Sequence, residues 1–315
     1  MKKRFLLHER NEIACWFQVE KFRADGSITY LSPWFKNTIL DVGLDALVNY
    51  PLSTSEAGAG GILQYANVGT DSTAPSTSQT GLLSFLASTR TDYGDVTTGY
   101  QTSGPVFKWI QKIYEFSVGS CTGNLTEVGL SRDSNSNYFN RQLFRDSNGD
   151  PTTITVLSDE GLRVTARVYL YSDINLDETV AGSFLLNSET TINTTREITN
   201  NFWTNAGIYG IIALNKTPSI RITTSGTAFD GGTGGSVTPQ SYVSGSFYRD
   251  YEAYWAAGNF VGDIASVLFY CYHADHDAGG YQAPLTAFRL DPVISLADTQ
   301  EFYITLRREW GRYAA

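Results

Sequence analysis

The stretch Ser117–Leu130, "SVGSCTGNLTEVGL", returns in looser form at Ala256–Phe269 as "AAGNFVGDIASVLF". Gly119, Gly123, Asn124, Leu125 and Val128 align without a gap on Gly258, Gly262, Asp263, Ile264 and Val267. Downstream, "DEGLRVTAR" (159–167) resembles "DTQEFYITLR" (298–307), pairing Leu162 with Phe302, Val164 with Ile304 and Arg167 with Arg307 once a single residue has been gained. A shared turn followed by a shared closing strand argues for two copies of one β-unit. The only carboxylate of the motif, Glu127, becomes Ser266 in the second copy, so the stretch reads as scaffold rather than as a catalytic loop. Its glycines fit a bend between strands, where unusual backbone angles are needed.

Working outward, the runs "FKWIQKIYEFSV", "LTEVGLS", "NYFNRQLF", "TTITVLS" and "LRVTARVYLYS" between Phe107 and Ser172 are rich in β-branched and aromatic residues and are separated by turn clusters. That spacing belongs to sandwiches and barrels. The turn "RDSNGDPTT" carries Asn148-Gly149, a strong hairpin signal. It resembles a calcium loop only at its start, because the position that needs a bidentate acid is Leu157. Near the start of the chain, two alternating runs flank Asp25-Gly26 and predict a hairpin. "NTILDVGLDALVNYP" then places Leu40, Leu44, Leu47 and Val48 at helical spacing, with Asn37 or Thr38 as N-cap and Pro51 beyond the end. "ILQYANV" reads as a strand, and "GLLSFLAS" as a helical turn or a buried strand. The polar stretches "STSEAGAGG" (53–61) and "GTDSTAPSTSQT" (69–80) read as segments that cannot bury themselves, and "GGTGG" (231–235) as linker.

The expected fold is therefore all-β: two tandem β-sandwich-like units from an internal duplication, with an N-terminal hairpin and one short helix. The chain divides as 1–52 (hairpin and helix, an anchoring segment), 53–175 (first unit) and 176–315 (second unit).

Charge and composition narrow the function. With 23 basic against 32 acidic residues the net charge is -9, which disfavours a nucleic-acid partner. Cys15, Cys121 and Cys271 make an odd set that reads as free buried thiols, in keeping with folding in a reducing cytosol. The early apolar run, Phe5 to Leu7, is too short for a signal peptide, and no apolar stretch is long enough to cross a bilayer, so no membrane insertion is expected.

Candidate chemistry is sparse. "CYHADHDAGG" places Cys271, His273, Asp275, His276 and Asp277 within one short segment. Those are metal-ligand types, but the segment reads as a strand running into a hairpin loop, and the matching loop of the first copy, "RDSNSN", has no histidine. No metal, no cofactor and no catalytic residue is assigned. The nucleophile, zinc and phosphate-loop motifs are missing from the sequence, and no pair of carboxylates stands out as a glycosidase pair. The cluster "FYRDYEAYW" (247–255) offers Tyr248, Tyr251, Tyr254 and Trp255 as interaction residues, aromatic faces that stack on sugars or anchor interfaces. The competing reading is a strand with one face in the core.

"NTILDVGLDALV", "ANVGTDSTAPSTSQTGLLSFLAS", "SCTGNLTEVGLS", "NRQLF" and "TTITVLSDEGLRVTARVYL" together resemble a run of motifs found in virion structural proteins of tailed bacteriophages, especially tail and tail-fibre-associated components. The resemblance covers residues 34–172. It implies a non-catalytic β-sandwich protein, localised to a virion assembled in the bacterial cytoplasm, with other virion proteins as partners. It further implies a homo-oligomer, a trimer or hexamer to match a tail's symmetry. A head decoration protein, or a tail protein that binds or cleaves bacterial surface glycan, are the alternatives.

Overall fold

The computed structural model describes residues 2–54, 60–101, 104–172, 180–186, 190–198, 210–212, 217–224, 232–271 and 283–314. Their regular structure is almost wholly strand, with one short helix, α1 (Asp41–Ala46). The spine is β1 (Lys2–Arg23), a single strand of 22 residues. At about 3.3 Å per residue it is about 70 Å long. Inward-facing Phe5, Leu7, Ile13, Cys15, Phe17 and Val19 alternate along it, as a strand with one buried face requires.

Two neighbours divide β1 between them. Its first half runs parallel to the strand Glu301–Arg312, from Lys2 opposite Glu301 to Ile13 opposite Arg312. Its second half runs antiparallel to Glu160–Ser172, from Asn11 opposite Ser172 to Arg23 opposite Glu160. The sheet continues outward on both sides, through Tyr248–Trp255 to Ser236–Pro239 and through Phe107–Phe116 to Thr97–Gln101. β2 (Ile28–Leu31) pairs with β1 as the predicted hairpin.

A second layer completes each unit. In the first it is the sheet ordered Thr38–Ile39, Asn140–Leu143, Glu127–Asp133, Tyr65–Gly69, Phe85–Thr89; in the second it is built around Ala283–Leu296, Gly262–Cys271 and Ser219–Thr223. Buried residues from most of these strands form one large hydrophobic core that spans both units, and Leu268 with Ala287 forms a small separate cluster.

The duplication holds in detail. Leu162 faces Phe116 in the first unit and Phe302 faces Trp255 in the second. Leu125 faces Ile154, and Ile264 faces Ile294. Val128 faces Val68, and Val267 faces Ile222. The turn glycines repeat their backbone angles: φ is +78° at Gly119 and +85° at Gly258, +146° at Gly123 and +129° at Gly262. Side-chain bonds recur too. Thr155 donates to Asn124 as Ser295 donates to Asp263, and the Leu157 N–H is held by Glu160 as the Ala297 N–H is by Gln300.

Several sequence expectations change. Residues 1–52 are not set apart from the units: β1 is the central strand of both, and its first half was hidden by "HERNE". Glu9 is buried there against Arg308 at 2.9 Å, and Asn11 is buried beside it, so polar letters occupy core positions. Helix α1 starts after Leu40, which has no side-chain cap bond, whereas Thr38–Ile39 is a strand. "GLLSFLAS" yields an edge strand, Phe85–Thr89, that is exposed to half-buried. In "GGTGG", Thr233–Gly234 pairs with Ser219–Thr223, and the Thr233 carbonyl accepts the Trp255 indole N–H. "RDSNGDPTT" is a plain turn in which Asp146 accepts the N–H groups of Asn148 and Asp150.

The polar stretch 69–80 is held rather than loose. Glu127, fully buried, accepts the N–H groups of Leu83 at 3.1 Å and Ser84 at 2.8 Å and the Arg141 Nε at 2.6 Å. Arg141, equally buried, also donates to Gln79 and to the Thr73 carbonyl. This ion pair is the tether of the 70–84 segment.

Candidate interaction face

The outer face of the long sheet carries the side chains that the core does not take. Strand alternation fixes the division: along Phe107–Phe116 and Glu160–Ser172 the buried and half-buried residues alternate strictly over most of their length. The half-buried set includes Phe107, Trp109, Arg163, Arg167, Tyr169 and Tyr171.

These side chains pack on one another. The Arg167 guanidinium lies 4.9 Å from the Trp34 ring and 4.7 Å from the Trp109 ring, and its Nε and Nη2 donate to Gln111 at 2.9 and 2.6 Å. A cation between two indoles is attracted to both ring faces. Trp109 lies across Gly99 on the neighbouring strand, where a Cβ would come within 2.5 Å of the indole. Only glycine leaves room for that close approach. Next to this ladder, Phe107 packs at 5.3 Å on both Tyr169 and Tyr171, and Tyr171 stacks on Tyr313 at 3.7 Å and 5°. Burial, followed by the neighbouring phenols of Tyr313 and Tyr169, pushes the Tyr171 hydroxyl up to about 12. Tyr171 is therefore neutral and a hydrogen-bond donor at physiological pH.

The same face continues over the second unit. Tyr254 packs on Tyr303 at 4.8 Å, and the Arg4 guanidinium sits 4.5 Å from the Tyr303 ring. Arg307 lies 3.8 Å from the Tyr248 ring and grips Asp250 with two bonds of 2.8 Å. The bonds that Arg307 donates to Asp250 outweigh the cost of desolvation and raise the Arg307 pKa.

The four interaction residues read from the sequence are thus divided. Tyr248 and Tyr254 are on the outer face; Tyr251 and Trp255, each 1% exposed, are in the core and out of a ligand's reach. Trp34, Trp109, Arg167, Tyr169 and Tyr171 were missed. A signal for most of them was available: in "LRVTARVYLYS" the odd positions 163 to 171 are opposite in phase to Val164, Ala166, Val168 and Leu170. Trp34 comes from a connecting segment, and no period could bring it to Arg167. Cys271 ends a described strand, while His273, Asp275, His276 and Asp277 lie outside the described residues. Among the described residues no group of three metal-ligating side chains converges, and no helix is long and apolar enough to cross a membrane.

No family model matches the chain, and no curated protein or solved structure is significantly similar to it.

Proposed function

We propose that the chain is a non-catalytic structural component of a bacteriophage particle, in or next to the tail, which binds other particle proteins and its own copies through the outer face of the long sheet. The observation that carries the structural role is the aromatic and guanidinium face running over both units, from Tyr254 and Tyr303 through Arg167 to Phe107. Tyr, Trp and Arg are the residue types that dominate binding energy at protein interfaces. Their rigid setting on strands lowers the entropy lost on association. The particle context rests on the resemblance of residues 34–172 to tail and tail-fibre-associated proteins. Closed cyclic assembly, as a trimer or hexamer, is the form in which such a face is covered symmetrically.

Mass measurement in solution and incubation with bacterial surface polysaccharide test this reading. The expected result is an oligomer that leaves glycan intact and loses association on Trp34→Ser with Arg167→Ser. A stable monomer that shortens the polysaccharide would overturn it.

A further inference from the structure

At one end of the first unit, β2 and the strand Ile154–Val156 stand on either side of a cleft of about 440 Å³. Tyr30, Leu31 and Pro33 line one side, and Asp146, Thr153 and Thr155 line the other. Both sides are strand edges. Among the described residues β2 pairs only with β1, and Ile154–Val156 only with Gly123–Leu125. The Thr155 carbonyl accepts the Lys21 ammonium at 2.9 Å, so it points away from Gly123–Leu125 and toward the cleft. Strand alternation sends the N–H and C=O of Thr153 the same way. Across the gap, the Ser32 N–H bonds to the Val19 carbonyl, so the neighbouring Leu31 turns its main chain away from β1.

The rim is apolar on both sides. Ile28 and Leu31 on β2 are 58% and 57% exposed, and Leu157, directly after the facing strand, is 49% exposed. The charge is negative. Lys21 is answered by Glu160 at 2.9 Å, whereas Asp146 spends one oxygen on main-chain N–H groups and makes no ion pair among the described residues.

We propose that this cleft accepts an extended segment of a partner polypeptide as an added strand. Main-chain bonds to Thr153, Thr155 and Leu31 hold the segment, as in β-strand addition generally. Alternate apolar residues of the segment cover Ile28, Leu31 and Leu157, and a Lys or Arg meets Asp146. The volume suits a few extended residues and excludes a folded element. The site lies where β2 ends the long sheet, away from the Arg167 and Tyr171 cluster, and does not depend on the particle role.

The test is a titration of the ¹⁵N-labelled full chain with the acetylated, amidated peptide Lys-Val-Thr-Val-Thr-Val-Lys, followed by amide shifts. Shifts confined to Leu31, Thr153, Thr155 and their neighbours are expected, with a Kd below about 1 mM. The same peptide N-methylated at alternate amides is expected to bind at least about tenfold more weakly, and so is the parent peptide to Leu31→Asp, an exposed change that leaves the core untouched. Absence of shifts at about 5 mM peptide, equal binding of the N-methylated peptide, or shifts centred elsewhere would each overturn the proposal.

Discussion

At the scale of single residues, the pair Glu127 and Arg141 has the largest consequence. Both side chains are fully buried, and the acceptors and donors around them are satisfied by the 70–84 segment. Removing one partner strands a charge, so Arg141→Met is expected to destabilise by about 3–5 kcal/mol. Glu127→Leu with Arg141→Met is expected to recover part of that loss. Urea midpoints of the three proteins check both statements. Glu160 acts through protons instead. The Leu157 N–H first, then Lys21 and Thr29, hold its pKa down to about 2 from an ordinary 4.5. A depressed carboxylate stabilises the fold above its unfolded pKa, and that contribution is lost as pH falls from about 4.5 to about 2. Glu160→Gln is therefore expected to lower the denaturation midpoint at pH 7 and to make little difference at pH 2. Gly119 and Gly258 share a left-handed conformation. Alanine at either is expected to cost about 1–2 kcal/mol, and a similar amount at both, because the turns are copies.

At the scale of elements, helix α1 joins the two units. The Asp45 carboxylate accepts bonds from Tyr242, Ser244 and the Gly245 N–H, and the Trp310 indole donates to the Leu44 carbonyl at 2.9 Å. Burial alone would raise the Asp45 pKa, yet the bonds from Ser244, Tyr242 and Gly245 together lower it. On the other side of the sheet, Gly99→Val is expected to push the Trp109 indole off its strand without unfolding the protein. A red shift in tryptophan emission at an unchanged far-ultraviolet spectrum would show it. Elements with one clean period were legible in the sequence, as the strands from Phe107 to Ser172 and the hairpin at Asp25-Gly26 show. The first half of β1 was not, because Glu9 and Asn11 hold core positions and the partner of Glu9 is Arg308, 299 positions away. The 70–84 tether escaped for the same reason: "GTDSTAPSTSQT" carries no local sign that Glu127 and Arg141 will hold it. Sequence composition also could not tell a linker from an edge strand at Thr233–Gly234, since Trp255 decides it.

At the scale of the whole molecule, two copies of one β-unit are fused by a strand that neither copy owns. The first half of β1 completes the sheet of the second unit and the second half that of the first. Both halves bury side chains in the same core. A shared strand couples the units, so they are expected to unfold together, with coincident transitions by different probes. Native-state hydrogen exchange along β1 is the most direct test. If one strand serves both units, the ladder-bonded amides of β1, every second one from Phe5 to Asn11, exchange slowly and through the same opening as those from Ile13 to Val19. Rapid exchange from Phe5 to Asn11 beside slow exchange from Ile13 to Val19 would contradict the shared strand.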